Sequence, residues 1–203
     1  MLNILFCKWT SICETGIEHG FNTLGHRLTI IDRLLDSVDY DTEYANLLSN
    51  TLLESSFDCV FSVNYIPIIS RVCNIHKIPY LSWTVDSPCF QLYSKTITNS
   101  CNHIFMFDRD QYNQFSRENT KGIYHFPLGT DVDFWDSINV TEDEHKSYDC
   151  DISFIGSLYS EKCRYNQLKD LPDYISGYVD GLVDAQLSIL GYNFIADSLT
   201  DDF

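Results

Sequence analysis

Apolar residues in this chain gather into short, nearly unbroken runs, and four of those runs stop abruptly at polar clusters. Leu81-Ser82-Trp83-Thr84-Val85 meets Asp86-Ser87-Pro88, and His103-Ile104-Phe105-Met106-Phe107 meets Asp108-Arg109. Ile123-Tyr124-His125-Phe126 meets Pro127-Leu128-Gly129, and Cys150-Asp151-Ile152-Ser153-Phe154-Ile155 meets Gly156-Ser157. A run of this kind, closed by turn residues, reads as a strand of a parallel sheet buried on both faces. In open parallel sheets ligands bind just beyond the carboxyl ends of the strands. The polar clusters therefore mark one edge of the expected sheet as a binding crevice.

The same pattern fills in the rest of the order. Residues 3–7 predict a first strand and 12–24 a helix, closed by Gly25-His26 as a C-terminal glycine closes one. A second strand over 27–31 precedes a helix over 41–54, with Tyr44, Leu47, Leu48 and Leu52 at helical spacing. A third strand, 57–63, ends at Asn64-Tyr65, and Pro67 opens a short helix over 66–74. Then come a strand at 79–85, a helical stretch near 91–98, a strand at 103–107, a helix at 111–118 and a strand at 123–126. Strand and helix alternate with short links, which predicts an α/β fold: Rossmann-like, doubly wound, mostly parallel, with helices on both faces. Residues 1–140 form that domain in this reading. An acidic, weakly periodic linker follows at 141–150, and 151–203 begins a partial second domain. That second part is expected to hold a strand at 151–155, a helix at 159–168 and a helical pattern over 181–199 interrupted by Gly191. The apolar stripe of 181–199 is expected to fold back on the sheet or to drive self-association.

Composition narrows the function classes. Hydrophobic residues make up 44% of the 203, enough to build a core. The formal charge is −16, from 13 Lys and Arg against 29 Asp and Glu. A nucleic-acid binder needs a Lys/Arg field, and anionic lipid repels such a chain, so neither partner is expected. The eight cysteines show no CxxC spacing and no zinc-finger His, which predicts free thiols, no metal and no disulfide. The N-terminus lacks a signal peptide's basic start and apolar stretch, and no segment has the length of a membrane span. A cytoplasmic protein is expected.

The polar clusters supply the candidate chemistry. The loop after the first strand, from Lys8 to Gly16, holds one glycine rather than GxGxxG, so a pyrophosphate pressed against bare backbone is not expected there. Thr10 and Ser11 can cap the next helix or offer hydroxyls to a ligand. Asp86 can deprotonate an attacking hydroxyl, accept hydrogen bonds from a sugar, or cap a helix with Ser87. Asp108-Arg109-Asp110 reads as a helix start with an internal salt bridge, or as part of the crevice. No metal-site or P-loop motif occurs, and no cofactor is expected.

Taken in order, several of these segments resemble a known family. They are Asn3-Ile4-Leu5-Phe6 with Leu24-Gly25-His26, Trp83-Thr84-Val85-Asp86-Ser87-Pro88, and Phe107-Asp108-Arg109 with Tyr112. Phe126-Pro127-Leu128-Gly129 with Asp131, and Asp151-Ile152-Ser153-Phe154-Ile155-Gly156-Ser157 with Arg164, complete the set. The chain resembles the N-terminal, acceptor-side half of a GT-B glycosyltransferase of the CgeB-like bacterial type, over residues 3 to about 165. The resemblance implies an acceptor domain facing a nucleotide-sugar donor domain across a cleft. On the transferase reading Asp86 is the catalytic residue, orienting or deprotonating a hydroxyl-bearing acceptor, and Thr10, Ser11, Asn64, Tyr65, Ser87, Asp108 and Arg109, which all follow parallel strands, are expected to share its rim and bind the acceptor. Gly156, Ser157, Lys162 and Arg164 would hold the donor diphosphate, Lys162 or Arg164 supplying the charge because position 157 is Ser. In that family the acidic sugar-binding motif lies further along the donor domain than these 203 residues reach, which is expected of a fragment or of a truncated protein, and these residues alone are expected to be inactive or nearly so. Two other readings stay open: a non-catalytic glycan- or protein-binding module of the same fold, and a small nucleotide- or flavin-binding domain, against which the glycine-poor first loop counts.

Overall fold

The computed structural model describes residues 1–157, 163, 165, 168 and 170–198. The chain divides into two compact units, Met1–Thr141 and Glu142–Phe203. The first is built on six strands: β1 (Asn3–Lys8), β2 (Arg27–Asp32), β3 (Cys59–Val63), β4 (Tyr80–Thr84), β5 (Asn102–Met106) and β6 (Ile123–His125). Their order across the sheet is β2-β1-β3-β4-β5-β6, and every neighbouring pair is parallel. The helices are α1 (Glu14–Thr23), α2 (Thr42–Glu54), α3 (Pro67–His76), α4 (Arg109–Phe115) and α5 (Val132–Asp136). The fold is α/β, Rossmann-like and doubly wound.

Alternation along the strands explains the layers, because successive side chains point to opposite faces. Leu5, Cys7, Val60 and Ile104 pack with Tyr44 and Leu48 of α2, Ile69 and Val72 of α3, and Phe115 of α4. Ile4, Phe6, Phe61 and Val63 pack on the other face with Ile17 and Phe21 of α1. There Phe61 meets Phe6 and Phe21 edge-on, at centroid distances of 5.2 and 5.1 Å. Each such pair adds about 0.5–1.5 kcal/mol beyond its area burial. Helix ends follow local chemistry. Asp41 accepts from the Tyr44 amide at 2.8 Å to start α2, Pro67 opens α3, and Gly25 at φ +75° follows α1.

The expected helix at 91–98 is instead two short 3-10 turns, Phe90–Tyr93 and Lys95–Thr98. Ser94 sits between them and its hydroxyl accepts from the Thr96 amide, which competes with a continuous helix.

In the second unit, α6 (Glu142–Tyr148) occupies most of the stretch expected as a linker, followed by α7 (Asp173–Leu187) and α8 (Phe194–Ser198). The expected strand at 151–155 does not form. A strand needs a ladder partner, and among the described residues this unit contains no other strand; Ile152 and Ile155 are each more than 90% exposed. The helix expected at 159–168 falls largely outside the described residues. The helical pattern expected from 181 begins earlier, at Asp173, and breaks around Gly191, whose φ is +74°. Leu182 is buried, whereas Leu187 and Leu190 are exposed.

Candidate functional site

The chain runs from β1 outward to β2 and then returns to the other side of β1 as β3, so the strand order reverses between β1 and β3. That is where an open α/β sheet opens its ligand crevice. Here the opening is filled from within. The Trp9 indole N–H donates to the Val63 carbonyl at 2.7 Å, tying the end of β1 to the end of β3. The Glu14 carboxylate, only 5% exposed, accepts from the main-chain N–H of Trp9 at 2.7 Å and of Thr10 at 3.2 Å. Thr10 is exposed at φ +76° and Ser11 is half-buried. Neither caps α1, whose N-cap position is Cys13 without a side-chain bond; Glu14 instead accepts from the amides of Trp9 and Thr10. Nearby, Lys8 is paired with Glu18, and His19 Nδ1 lies 2.9 Å from Asp131 Oδ2.

The polar groups gather instead over the ends of β3, β4 and β5. Asn64 is buried at φ +57°, and its Nδ2 donates to Asp86 Oδ2 at 2.7 Å. Its Oδ1 accepts from the amides of Val85 at 2.8 Å and Asp86 at 3.3 Å. Gln111 grips the same turn from α4: its Nε2 donates to the Asp86 carbonyl at 3.2 Å, and its Oε1 accepts from the Cys89 amide at 2.8 Å. Asp86 is thus anchored by one oxygen, and among the described residues nothing bonds to its Oδ1. Ser87, joined to Pro88 by a cis peptide bond, donates its hydroxyl to Asp108 Oδ2. Asp108 Oδ1 accepts from the amides of Asp110 and Gln111 and so caps α4. The Ser87 hydroxyl is the main cause that draws the Asp108 carboxyl below its usual range, aided by those amides and by His125.

Asp86 and Ser87 are therefore not helix caps, and Asp108 is. Arg109 is exposed at the first position of α4 and forms no ion pair among the described residues, so the expected internal salt bridge is absent there. Tyr65 was expected on the crevice and is not. It is fully buried on the α3 face, its hydroxyl bonded to Thr96 Oγ1 at 2.8 Å, because a residue following Asn64 in the left-handed region is turned into the core. Sequence reasoning missed Glu14, Trp9 and Gln111. The Ser11-x-x-Glu14 spacing, that of a capping box, was the available signal for the first.

Gly156 and Ser157 lie in the second unit. Gly156 is exposed with the Phe154 ring against it, and Ser157 is half-buried. Lys162 and Arg164 lie outside the described residues. A separate groove of about 510 Å³ between the 3-10 turns and α4, lined by Leu92, Tyr93, Lys95, Gln114, Phe115 and Glu118, shares no residue with the rim. Among the described residues no three His, Cys, Asp or Glu side chains converge as a metal site, and no helix is long and apolar enough to cross a membrane.

No protein-family model matches the chain, and no curated protein matches it. Among solved structures the chain is similar to the receiver domain of the sensor histidine kinase PA1611 from Pseudomonas aeruginosa PAO1, which holds a magnesium ion in its active-site cleft. The identity is 14% and the TM-score 0.39, over 57% of this chain and 95% of that one. At that TM-score the likeness says nothing about the chemistry of the rim.

Proposed function

We propose that residues 1–141 are the acceptor-binding half of a nucleotide-sugar-dependent glycosyltransferase of the GT-B type, with Asp86 as the base that takes the proton from the acceptor hydroxyl. The observation that carries this reading is the half-tethered carboxylate. Asn64 holds one oxygen of Asp86 at 2.7 Å while Asp86 itself is exposed on the rim. A base so held keeps its direction and leaves the other oxygen for a substrate proton. Beside it the oxygens of Ser87 and Asp108 can accept hydrogen bonds from further hydroxyls. The order of the segments that carry the resemblance, with the start of a donor half expected from residue 151, fits the transferase reading. The nucleotide-sugar then belongs to that donor half.

The test is a titration of the chain with methyl glycosides of common hexoses, followed by amide resonances. The expected result is movement of the amides of residues 85–87 and 108–109, weakened in Asp86→Asn. When a complete donor domain is joined, Asp86→Ala should lower turnover about 10²–10⁴-fold, the usual loss for a general base. Full turnover in that variant would remove Asp86 from the chemistry.

A further inference from the structure

We propose that Glu14 excludes phosphate-bearing ligands from this edge, so that the compound it accepts is an uncharged polyhydroxy molecule. The inference rests on the acceptor reading above and narrows its substrate class. In a doubly wound sheet the groups that receive a phosphate at the strand-order reversal are main-chain N–H donors of the loop between the first strand and first helix. In this chain two of those donors, on Trp9 and Thr10, are already held by the two oxygens of Glu14, at 2.7 and 3.2 Å.

The carboxylate behaves as a built-in anion. It is 95% withdrawn from solvent, and it sits in the first turn of α1, where the helix favours negative charge. A phosphate arriving here would have to displace it or face its charge where water screens poorly. Among the described residues no cation pairs with it. Lys8 is paired with Glu18 and His19 with Asp131, and the indole of Trp9 closes the gap to β3. Arg109 follows β5, three strands from β1, about 14 Å along the edge at the usual strand spacing. A neutral polyol asks for the opposite equipment, hydrogen-bond acceptors, and Asp86 and Asp108 supply them.

The experiment is a titration of wild type, Glu14→Ala and Glu14→Gln with inorganic phosphate, following the amide resonances of Trp9 and Thr10. In wild type those resonances should stay in place. In Glu14→Ala the freed donors should raise phosphate affinity at least about tenfold, since hydrogen bonds to a charged group are the strong kind. Glu14→Gln keeps one acceptor and the shape of the side chain while dropping the charge; it should shift in the same direction by less, and it decides the matter if the alanine variant does not fold. Wild-type resonances that move at the same phosphate concentration as the variants', or a folded glutamine variant that gains nothing, would overturn the proposal. A parallel titration with methyl α-glucoside separates the two readings. Silence at residues 85–87 alongside a phosphate gain in the variants sinks the acceptor reading and leaves the exclusion by Glu14 standing.

Discussion

Replacing Asn64 tests whether the rim is held as described. Its side chain makes three hydrogen bonds, to Asp86 Oδ2 and to the amides of Val85 and Asp86, and its backbone lies at φ +57°. Asn64→Gly removes the bonds and keeps a residue that accepts this backbone freely. Each lost bond is worth about 0.5–1.5 kcal/mol net, and the one to Asp86 is discounted because that carboxylate is exposed. The total is about 1–4 kcal/mol. Asn64→Ala removes the same bonds and adds a left-handed alanine, at about 1–2 kcal/mol, partly offset because glycine loosens the unfolded chain. The alanine variant should therefore be less stable than the glycine variant by about 0.5–1 kcal/mol. Urea unfolding followed by tryptophan fluorescence reports on the right unit, because all three tryptophans, Trp9, Trp83 and Trp135, lie in Met1–Thr141. If the alanine variant is the more stable of the two, the backbone reasoning is wrong. If the glycine variant matches wild type, the clamp on Asp86 contributes nothing.

Two further outcomes are expected. The Tyr44 amide first, then the Asp36 amide and Arg33, draw the Asp41 carboxyl below its usual range; the stability this supplies is present above about pH 4, the unfolded value, and is lost as pH falls through the lower folded value. Asn is also a good cap but does not titrate, so the urea midpoint of Asp41→Asn should fall less steeply on acidification. Burial pushes the Cys7 thiol up to about 12 and those of Cys59 and Cys89 to about 11. Since the thiolate is the reactive form, a disulfide reagent at about pH 9 should titrate exposed Cys150 quickly and these three only on unfolding, with eight thiols counted in denaturant. A count below eight, or Cys7 reacting as fast as Cys150, would contradict it.

Strands of the first unit were readable because a doubly buried parallel strand leaves a dense apolar run. β4 and β5 lie within one residue of the expected positions at their carboxyl ends, and the polar clusters after them fall on the same edge by topology alone. What the pattern could not carry was side-chain direction. Asn64 and Tyr65 are adjacent and both polar at one end, yet one reaches Asp86 and the other enters the core, a division set by a single positive φ. Nor could local pattern reveal that 151–155 would remain unpaired, since a strand is a property of two segments. Ser94 broke a helix that the apolar spacing of Leu92, Ile97 and their neighbours otherwise permitted.

The filled switch point and the polar rim are two sides of one arrangement. A glycine-rich loop leaves its amides bare and needs a ligand to satisfy them. This loop has a tryptophan and a buried glutamate in place of the glycines, and two of its amides, those of Trp9 and Thr10, are satisfied before any ligand arrives. The edge is then closed over β1 and β3 and polar over β3, β4 and β5, where Asn64 and Gln111 hold the β4 turn from opposite sides. These two amide side chains carry no charge, so they fix Asp86 without neutralising it. An arginine in either place would have held the turn as firmly and cancelled the carboxylate's charge. Rigid, uncharged support for an exposed acid is the arrangement that the proposed proton transfer from an acceptor hydroxyl would use.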